Sequence, residues 1–172
     1  MLFICFFFII TLIIRLSTIA LSKRHEKTLK AQGAIEYDPQ TSQILALAHF
    51  TFYSSGFLEA LLFSRETDAL SCFGIALWIA SMGVLWSVIR TLGALWTVKI
   101  IIAPYHEFKR TGCFRLVRHP NYFLNLIPEL IGYACALQCW YTLCLGLPLY
   151  GIILAKRIRV EEQVMRNAFP TY

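Results

Sequence analysis

The sequence has few charged residues. Asp, Glu, Lys and Arg make up 15% of the chain, whereas 58% is hydrophobic. Soluble domains usually contain about 25% charged residues. This shortage excludes an ordinary soluble globular class and indicates an integral membrane protein. We interpret residues 1–172 as one membrane-embedded domain, since the length leaves little room for a second.

The sequence also lacks any Cys-x-x-Cys pair. Its six cysteines are scattered, and most lie in or beside apolar runs, where free cysteine acts as a small hydrophobic residue. We therefore expect neither a disulfide framework nor a zinc site, and we predict no bound metal.

The first apolar run, residues 1–21, has no basic residue ahead of it. A secretory signal peptide has the opposite order, with basic residues first. We therefore expect this run to be a retained transmembrane helix.

Further apolar runs cover residues 42–63, 69–89 and 123–155. A crossing needs about 20 apolar residues, so the last run suits two short crossings divided at the polar residues 138–140. We predict an all-α polytopic protein with about five transmembrane helices, the last two forming a short hairpin. Residues 22–41 are predicted as an amphiphilic connector broken at Gly33 and Pro39, and residues 91–121 as a polar loop, with either a short strand or an interfacial segment at 100–103.

The net charge of +6 is concentrated at three places rather than spread over one face. All but Arg15 and Arg65 of the Lys and Arg residues fall within 23–30, 90–118 and 156–166. Cytoplasmic loops carry such an excess, which predicts an external N-terminus and a cytoplasmic C-terminus. The same placement favours contact with membrane lipids and argues against a nucleic-acid partner.

Three ionisable residues lie inside the first two apolar runs. We interpret Arg15 as reaching towards the interface, with a functional role as the alternative. Glu59 is expected near the hydrated outer end of its helix. His49 lies deeper and is either a packing residue or part of the wall of a lipid-binding cavity. In the third run, Gly74 and Gly83 are among the small residues expected to allow close helix contact.

The polar loop ends in Arg-His-Pro-Asn-Tyr at residues 118–122, after Gly-Cys-Phe-Arg at 112–115. Beyond the predicted hairpin comes Arg-Val-Glu-Glu at 159–162. Together with residues 92–99, this order of motifs resembles the isoprenylcysteine carboxyl methyltransferase family of integral membrane methyltransferases. Because a hairpin returns the chain to the side it left, the two charged motifs are expected to face each other.

The resemblance implies an S-adenosyl-L-methionine-dependent enzyme with its cofactor region at about 92–172 and a cytoplasmic catalytic loop. A carboxylate, an ammonium and an adenine ring call for basic, acidic and aromatic partners. The predicted cofactor-binding residues are His119, Tyr122, Arg159, Glu161 and Glu162. Arg118 and His119 are the predicted catalytic residues, and His49 and Trp96 the predicted substrate-binding residues.

The acceptor is expected to be a lipophilic small molecule or a prenylated compound that enters between helices. A carboxylate acceptor needs no general base, whereas a phenol, enol or amine would need one, for which His119 or His106 is a candidate. Methylation of a carboxyl or hydroxyl oxygen is the favoured reaction. The sequence leaves the oligomeric state open.

Three other interpretations stay open at this point. The chain could be a phospholipid N-methyltransferase, or a non-catalytic protein whose basic loop binds lipid headgroups. The charged motifs could also be simple membrane anchors, with Glu161 paired to Arg157 on an exposed helix surface.

Overall fold

A computed structural model describes residues 1–104 and 111–168 of the chain. Within these ranges the protein is mostly helical and contains five α-helices. They are α1 (Leu2–Ala31), α2 (Pro39–Phe63), α3 (Ala69–Leu92), α4 (Ile127–Leu137) and α5 (Leu147–Ala168).

The first three helices are long and apolar enough to cross a membrane. At 1.5 Å per residue, the 24 residues of α3 extend about 36 Å, more than the roughly 30 Å of a bilayer core. Their outer faces carry exposed apolar side chains such as Leu16, Leu47 and Ile79. Such faces suit lipid contact, so a multi-pass membrane arrangement is plausible for this part of the chain.

The predicted first helix, residues 1–21, is too short, and the first half of the predicted connector at 22–41 belongs to it. Helix α1 continues to Ala31, because none of residues 22–31 is a Gly or Pro that would end it. Gly33 then adopts a φ of 85°, which a residue with a side chain rarely takes. Pro39 opens α2, where its missing N–H is not needed.

The prediction of an all-α fold also needs correction, because the structure contains a small antiparallel sheet. Strand β1 (Ile35–Tyr37) pairs with β2 (Ile100–Ile102), so that Ile35 faces Ile102. The side chains of Lys30 and Lys99 both bind Glu26 and Glu36 beside this sheet. The sheet and its ion pairs fasten the polar loop to the C-terminal end of α1.

The predicted hairpin after residue 122 is present. Helix α4 ends at Leu137, and the chain reverses through Gln138, which takes the left-handed conformation. Each arm begins with a π-helical turn, Asn121–Leu126 before α4 and Thr142–Gly146 before α5. Turns of this kind are rare and often occur at functional sites.

Glu59 does not lie in a hydrated environment as expected. Its side chain is buried, and its carboxylate accepts hydrogen bonds from the backbone N–H groups of Tyr141 (3.0 Å) and Thr142 (2.7 Å). These N–H groups begin a helix and lack partners within it. Glu59 therefore caps the second arm of the hairpin, and Arg65 lies 3.6 Å from the same carboxylate.

Helices α3 and α4 pack backbone to backbone. A Cβ atom at Gly74 would lie 2.3 Å from the backbone N of Ala136, and one at Gly132 would lie 2.7 Å from the backbone N of Trp78. The expected packing role is therefore confirmed for Gly74. It is wrong for Gly83, where an added Cβ would meet nothing within 4 Å in the part of the chain that the structure describes.

Candidate functional site

The motif at residues 118–122 lies where the polar loop enters the hairpin. Pro120 has a φ of −62°, which suits the start of a helix, and the π-helical turn follows directly. The backbone N–H of Tyr122 donates to the carbonyl of His119 at 3.0 Å. His119 and Tyr122 are both buried, and their rings stack with centroids 5.6 Å apart. The turn thus holds the two side chains on one face.

The second motif meets this face from α5. Atom Nδ1 of His119 lies 3.5 Å from Oε1 of Glu161, and its Nε2 lies 3.4 Å from Oε1 of Glu162. The hydroxyl of Tyr122 donates to the Glu161 carboxylate. The hairpin therefore brings together the two motifs that the sequence placed about forty residues apart.

The proximity of these groups shifts their pKa values in opposite directions. Burial lowers the pKa of His119, but hydrogen bonds and negative charge from Glu161 and Glu162 outweigh it and raise the net pKa above 6.5. Burial raises the pKa of Glu161, but His119, Tyr122 and the Arg157 charge bring it below 4.5. The two carboxylates thus favour the charged form of the imidazole that lies between them.

Arg157 is a central residue that the sequence did not single out as a site residue. Its interpretation as a surface partner of Glu161 was wrong, because its side chain is 2% exposed. The guanidinium donates to the Tyr122 hydroxyl (3.3 Å), the Ser42 hydroxyl (2.5 Å) and the Val98 carbonyl (2.8 Å). It thus joins α5 to α2, the polar loop and the motif. The i, i+4 spacing had placed Arg157 and Glu161 on one helix face, but it could not show that Arg157 is buried.

A cavity of about 150 Å³ opens beside this cluster. Its lining includes Trp96, Arg118, His119, Tyr122, Arg157 and Glu161. Arg118 itself is exposed at the cavity wall. Polar and aromatic groups of both motifs therefore face one common space.

Two predicted cofactor-binding residues lie away from the interior of this cavity. Arg159 is exposed and lines a shallow depression with Glu162 and Arg166. Glu162 also accepts a hydrogen bond from Arg166 at 3.3 Å while it contacts His119. The structure thus places Glu162 at the boundary and does not bring Arg159 to the cavity. His106, a candidate base, lies outside the described residues.

The two predicted substrate-binding residues, His49 and Trp96, line a second cavity, also of about 150 Å³. It lies between α1 and α2, and its wall is mostly apolar. Four residues line both cavities: Trp96, Thr97, Asn121 and Tyr122. One cavity therefore adjoins the polar motifs, the other adjoins the apolar helices, and they share a wall.

The second cavity has a polar end that the sequence did not predict. Arg15 does not reach towards the interface. Its guanidinium makes a two-point contact with Glu129, a fully buried residue of α4. Tyr53 also donates to Glu129, and Nδ1 of His49 shares a hydrogen bond of 3.1 Å with the Tyr150 hydroxyl. Residues of four helices thus meet at one buried cluster.

Comparison with known proteins gives two close relatives of similar length. A protein of Haemophilus influenzae named only as uncharacterized is 45% identical over 170 residues, covering 99% of each chain. The uncharacterized protein YpbQ of Bacillus subtilis is 29% identical over 160 residues, covering 92% of this chain and 94% of its own. No solved structure matches the chain.

A family model matches residues 74–167, a range that contains most of α3, the polar loop, both motifs and the hairpin. The match therefore covers more than half of the chain. It includes the His119 cluster, which consists of His119, Tyr122, Arg157, Glu161 and Glu162. The chain belongs to the isoprenylcysteine carboxyl methyltransferase (ICMT) family.

Proposed function

We propose that this protein is an S-adenosyl-L-methionine-dependent methyltransferase that methylates a carboxyl or hydroxyl oxygen of a lipophilic acceptor at the membrane. The observation that carries the proposal is the meeting of His119, Tyr122 and Glu161 beside a cavity that shares a wall with a second, apolar one. Membership of the ICMT family supports the same reaction class.

The residues of the first cavity fit the chemistry of the methyl donor. Arg118 and the His119 imidazolium suit its carboxylate, and Glu161 suits its ammonium or ribose hydroxyls. Trp96 and Tyr122 supply aromatic surface for a purine ring. When bound, this cofactor supplies a methyl group on a positively charged sulfur.

The chain's own residues hold and orient rather than react covalently. Arg157 fixes the Tyr122 hydroxyl and the Val98 carbonyl, so the shared wall between the cavities keeps its shape. Methyl transfer depends on holding the donor and the nucleophile in line at short distance. The mostly apolar second cavity would exclude water from that step.

The proposal includes an orientation for the protein. The basic clusters at 23–30, 90–118 and 156–166 lie near the cytoplasmic face, which puts the N-terminus outside. The cofactor then enters the first cavity from the cytoplasm, and the acceptor enters the second from the bilayer.

Calorimetric titration of the detergent-purified protein with S-adenosylhomocysteine tests the proposal. Wild type should bind it, and Glu161→Gln should weaken binding about 10- to 100-fold through loss of a charge-assisted hydrogen bond. Glu66→Gln, which removes an exposed charge in the loop between α2 and α3, is the matched control. Failure of the wild type to bind would refute the cofactor assignment.

A further inference from the structure

We propose that the cluster of Arg15, His49, Tyr53, Glu129 and Tyr150 is the polar end of the acceptor site and binds an acidic oxygen group of the acceptor. The acceptor is then a long hydrocarbon that ends in a carboxylate or in a phenolate or enolate oxygen. This inference rests on the proposed function, and it assigns the recognition of the acceptor to residues outside both sequence motifs.

The first observation is the position of the ion pair. Arg15 and Glu129 lie in or against helices long and apolar enough to span a membrane, where an unpaired charge is costly. Replacing a buried ion pair by apolar residues is often neutral or stabilising. Stability alone therefore gives a weak reason for this pair, and the position of Arg15 on a cavity wall suggests a ligand.

The second observation is which member of the pair faces the cavity. Arg15 lines the cavity with 15% of its side chain exposed, whereas the Glu129 side chain is fully buried and does not line it. The carboxylate is already engaged by Arg15 and by the Tyr53 hydroxyl. The contact with Glu129 uses Nε and Nη2 of Arg15, so the Nη1 group is not part of it.

The third observation is the orphan atom on His49. Its Nδ1 shares the hydrogen bond with Tyr150, but Nε2 is buried without a hydrogen-bond partner among the described residues and lies 3.9 Å from Glu129. A buried polar atom without a partner is unfavourable, and a ligand group that pairs with it would gain affinity. When Tyr150 donates to Nδ1, the other nitrogen carries the proton and can donate to a ligand oxygen.

The charge of the cavity then selects the class of ligand. The lining contains Arg15 and His49 but no Asp or Glu among the described residues. An ammonium group would meet Arg15 with no free carboxylate to balance it. An acidic oxygen would pair with donors of Arg15 and His49 instead.

The shape of the cavity accounts for the hydrocarbon. Leu16, Ile19 and Phe50 line it and are themselves exposed on the outer faces of α1 and α2. In a bilayer these side chains face lipid, so an acyl or prenyl chain can extend between the two helices while its polar group stays inside.

Three probes test the inference: palmitate, 3-pentadecylphenol and hexadecylamine. Each is titrated into the full-length protein in one detergent, with S-adenosylhomocysteine present. At least one of the two acidic probes should bind about tenfold or more tightly than the amine. The palmitate and phenol arms then distinguish a carboxylate acceptor from a hydroxyl acceptor.

Variants test whether the cluster around Arg15 and His49 recognises the acidic oxygen of the probes. Arg15→Gln with Glu129→Gln removes both charges together and should abolish the preference for acidic probes. His49→Gln leaves the ion pair in place and should weaken the acidic probe about tenfold without changing affinity for S-adenosylhomocysteine. Arg24→Gln removes the same charge from the exposed end of α1 and should change neither.

The outcomes separate the two proposals. If the wild type binds S-adenosylhomocysteine but prefers the amine or binds none of the three probes, the acceptor inference is overturned and the cofactor assignment stands. Unchanged probe affinity in His49→Gln also overturns it. If the wild type binds an acidic probe but no S-adenosylhomocysteine, the methyltransferase proposal fails and the cavity is a lipid-binding site only.

Discussion

Two clusters of ionisable side chains in the molecule differ in depth and in how the chain builds them. The cluster around His119 joins two compact motifs through one hairpin, and its carboxylates are partly exposed. The cluster around Glu129 joins single residues of separate helices and is mostly buried, with the Glu129 side chain fully so. The first can exchange ions and protons with solvent, whereas the second depends on mutual pairing. This difference leads to distinct expectations for the orientation of the protein in the membrane, for its stability and for the pH dependence of that stability.

The largest expected effect is all-or-none cysteine labelling, which tests whether the His119 cluster lies on the cytoplasmic side of the membrane. Single cysteines at Glu66, Lys23 and Gln163, in a background with the native cysteines replaced by alanine, report accessibility. A membrane-impermeant maleimide added to intact cells should label only position 66, in the loop between α2 and α3. Labelling at position 23 or 163 would reverse the orientation and place the His119 cluster outside.

Next in size is the effect of breaking the buried pair. Glu129→Leu leaves Arg15 without its partner and should lower the free energy of unfolding by about 3–5 kcal/mol. Combining it with Arg15→Leu should restore most of that stability, since no buried charge remains. Thermal unfolding in detergent measures both variants. If the double variant is as unstable as the single one, the ion pair is needed for the helices to pack.

Arg157 tests whether the first cluster also depends on a buried group. Arg157→Lys keeps the charge but loses the planar guanidinium that reaches Tyr122, Ser42 and Val98. We expect a loss of about 1.5–3 kcal/mol in stability and weaker binding of S-adenosylhomocysteine. The neighbouring exposed Lys156→Gln is the control. Equal behaviour of the two variants would argue against a positioning role for Arg157.

The smallest expected effect is the pH dependence of the His119 contacts. Because the pKa of His119 is raised in the folded protein, its contribution is complete below 6.5 and is lost as pH rises through the folded-state value. The lowered pKa of Glu161 sets the acidic limit, below 4.5. The difference in melting temperature between wild type and His119→Gln should therefore be greatest between these limits.

Because the side chains of Glu161 and Glu162 are partly exposed, the corresponding difference in the free energy of unfolding should be small, about 1 kcal/mol or less. A difference that grew above pH 6.5 would contradict the shift assigned to His119.

The sequence predicted the first cluster because its residues occur in two short motifs and a hairpin necessarily returns the chain. The short strand at 100–103, left as one of two options, is also present as β2. The position of Arg159 relative to the cavity could not be predicted in the same way, because it depends on the rotation of α5. Arg157 and Arg159 are two positions apart in the sequence, and only the packing of α5 shows which of them faces inward.

The second cluster could not be predicted, since its members share no local pattern. Arg15 and Glu129 are separated by 114 positions, and Tyr53 and Glu129 by 76. The predicted environments of Arg15 and Glu59 assumed that each ionisable residue finds water. Both instead find partners on other helices, which only the tertiary arrangement supplies.

Under the proposed function, the contact between Gly74 and Gly132 restricts how the protein can change its specificity for the acceptor. Because no added methyl group fits on either side, α3 and α4 cannot be moved apart or slid by single substitutions without disturbing both backbones. The hairpin therefore behaves as a fixed wall. Under the proposed function, a larger or smaller acceptor would have to be accommodated by residues of α1 and α2, such as Leu16 and Phe50, which makes those two helices the part of the molecule to vary in a test of the acceptor range.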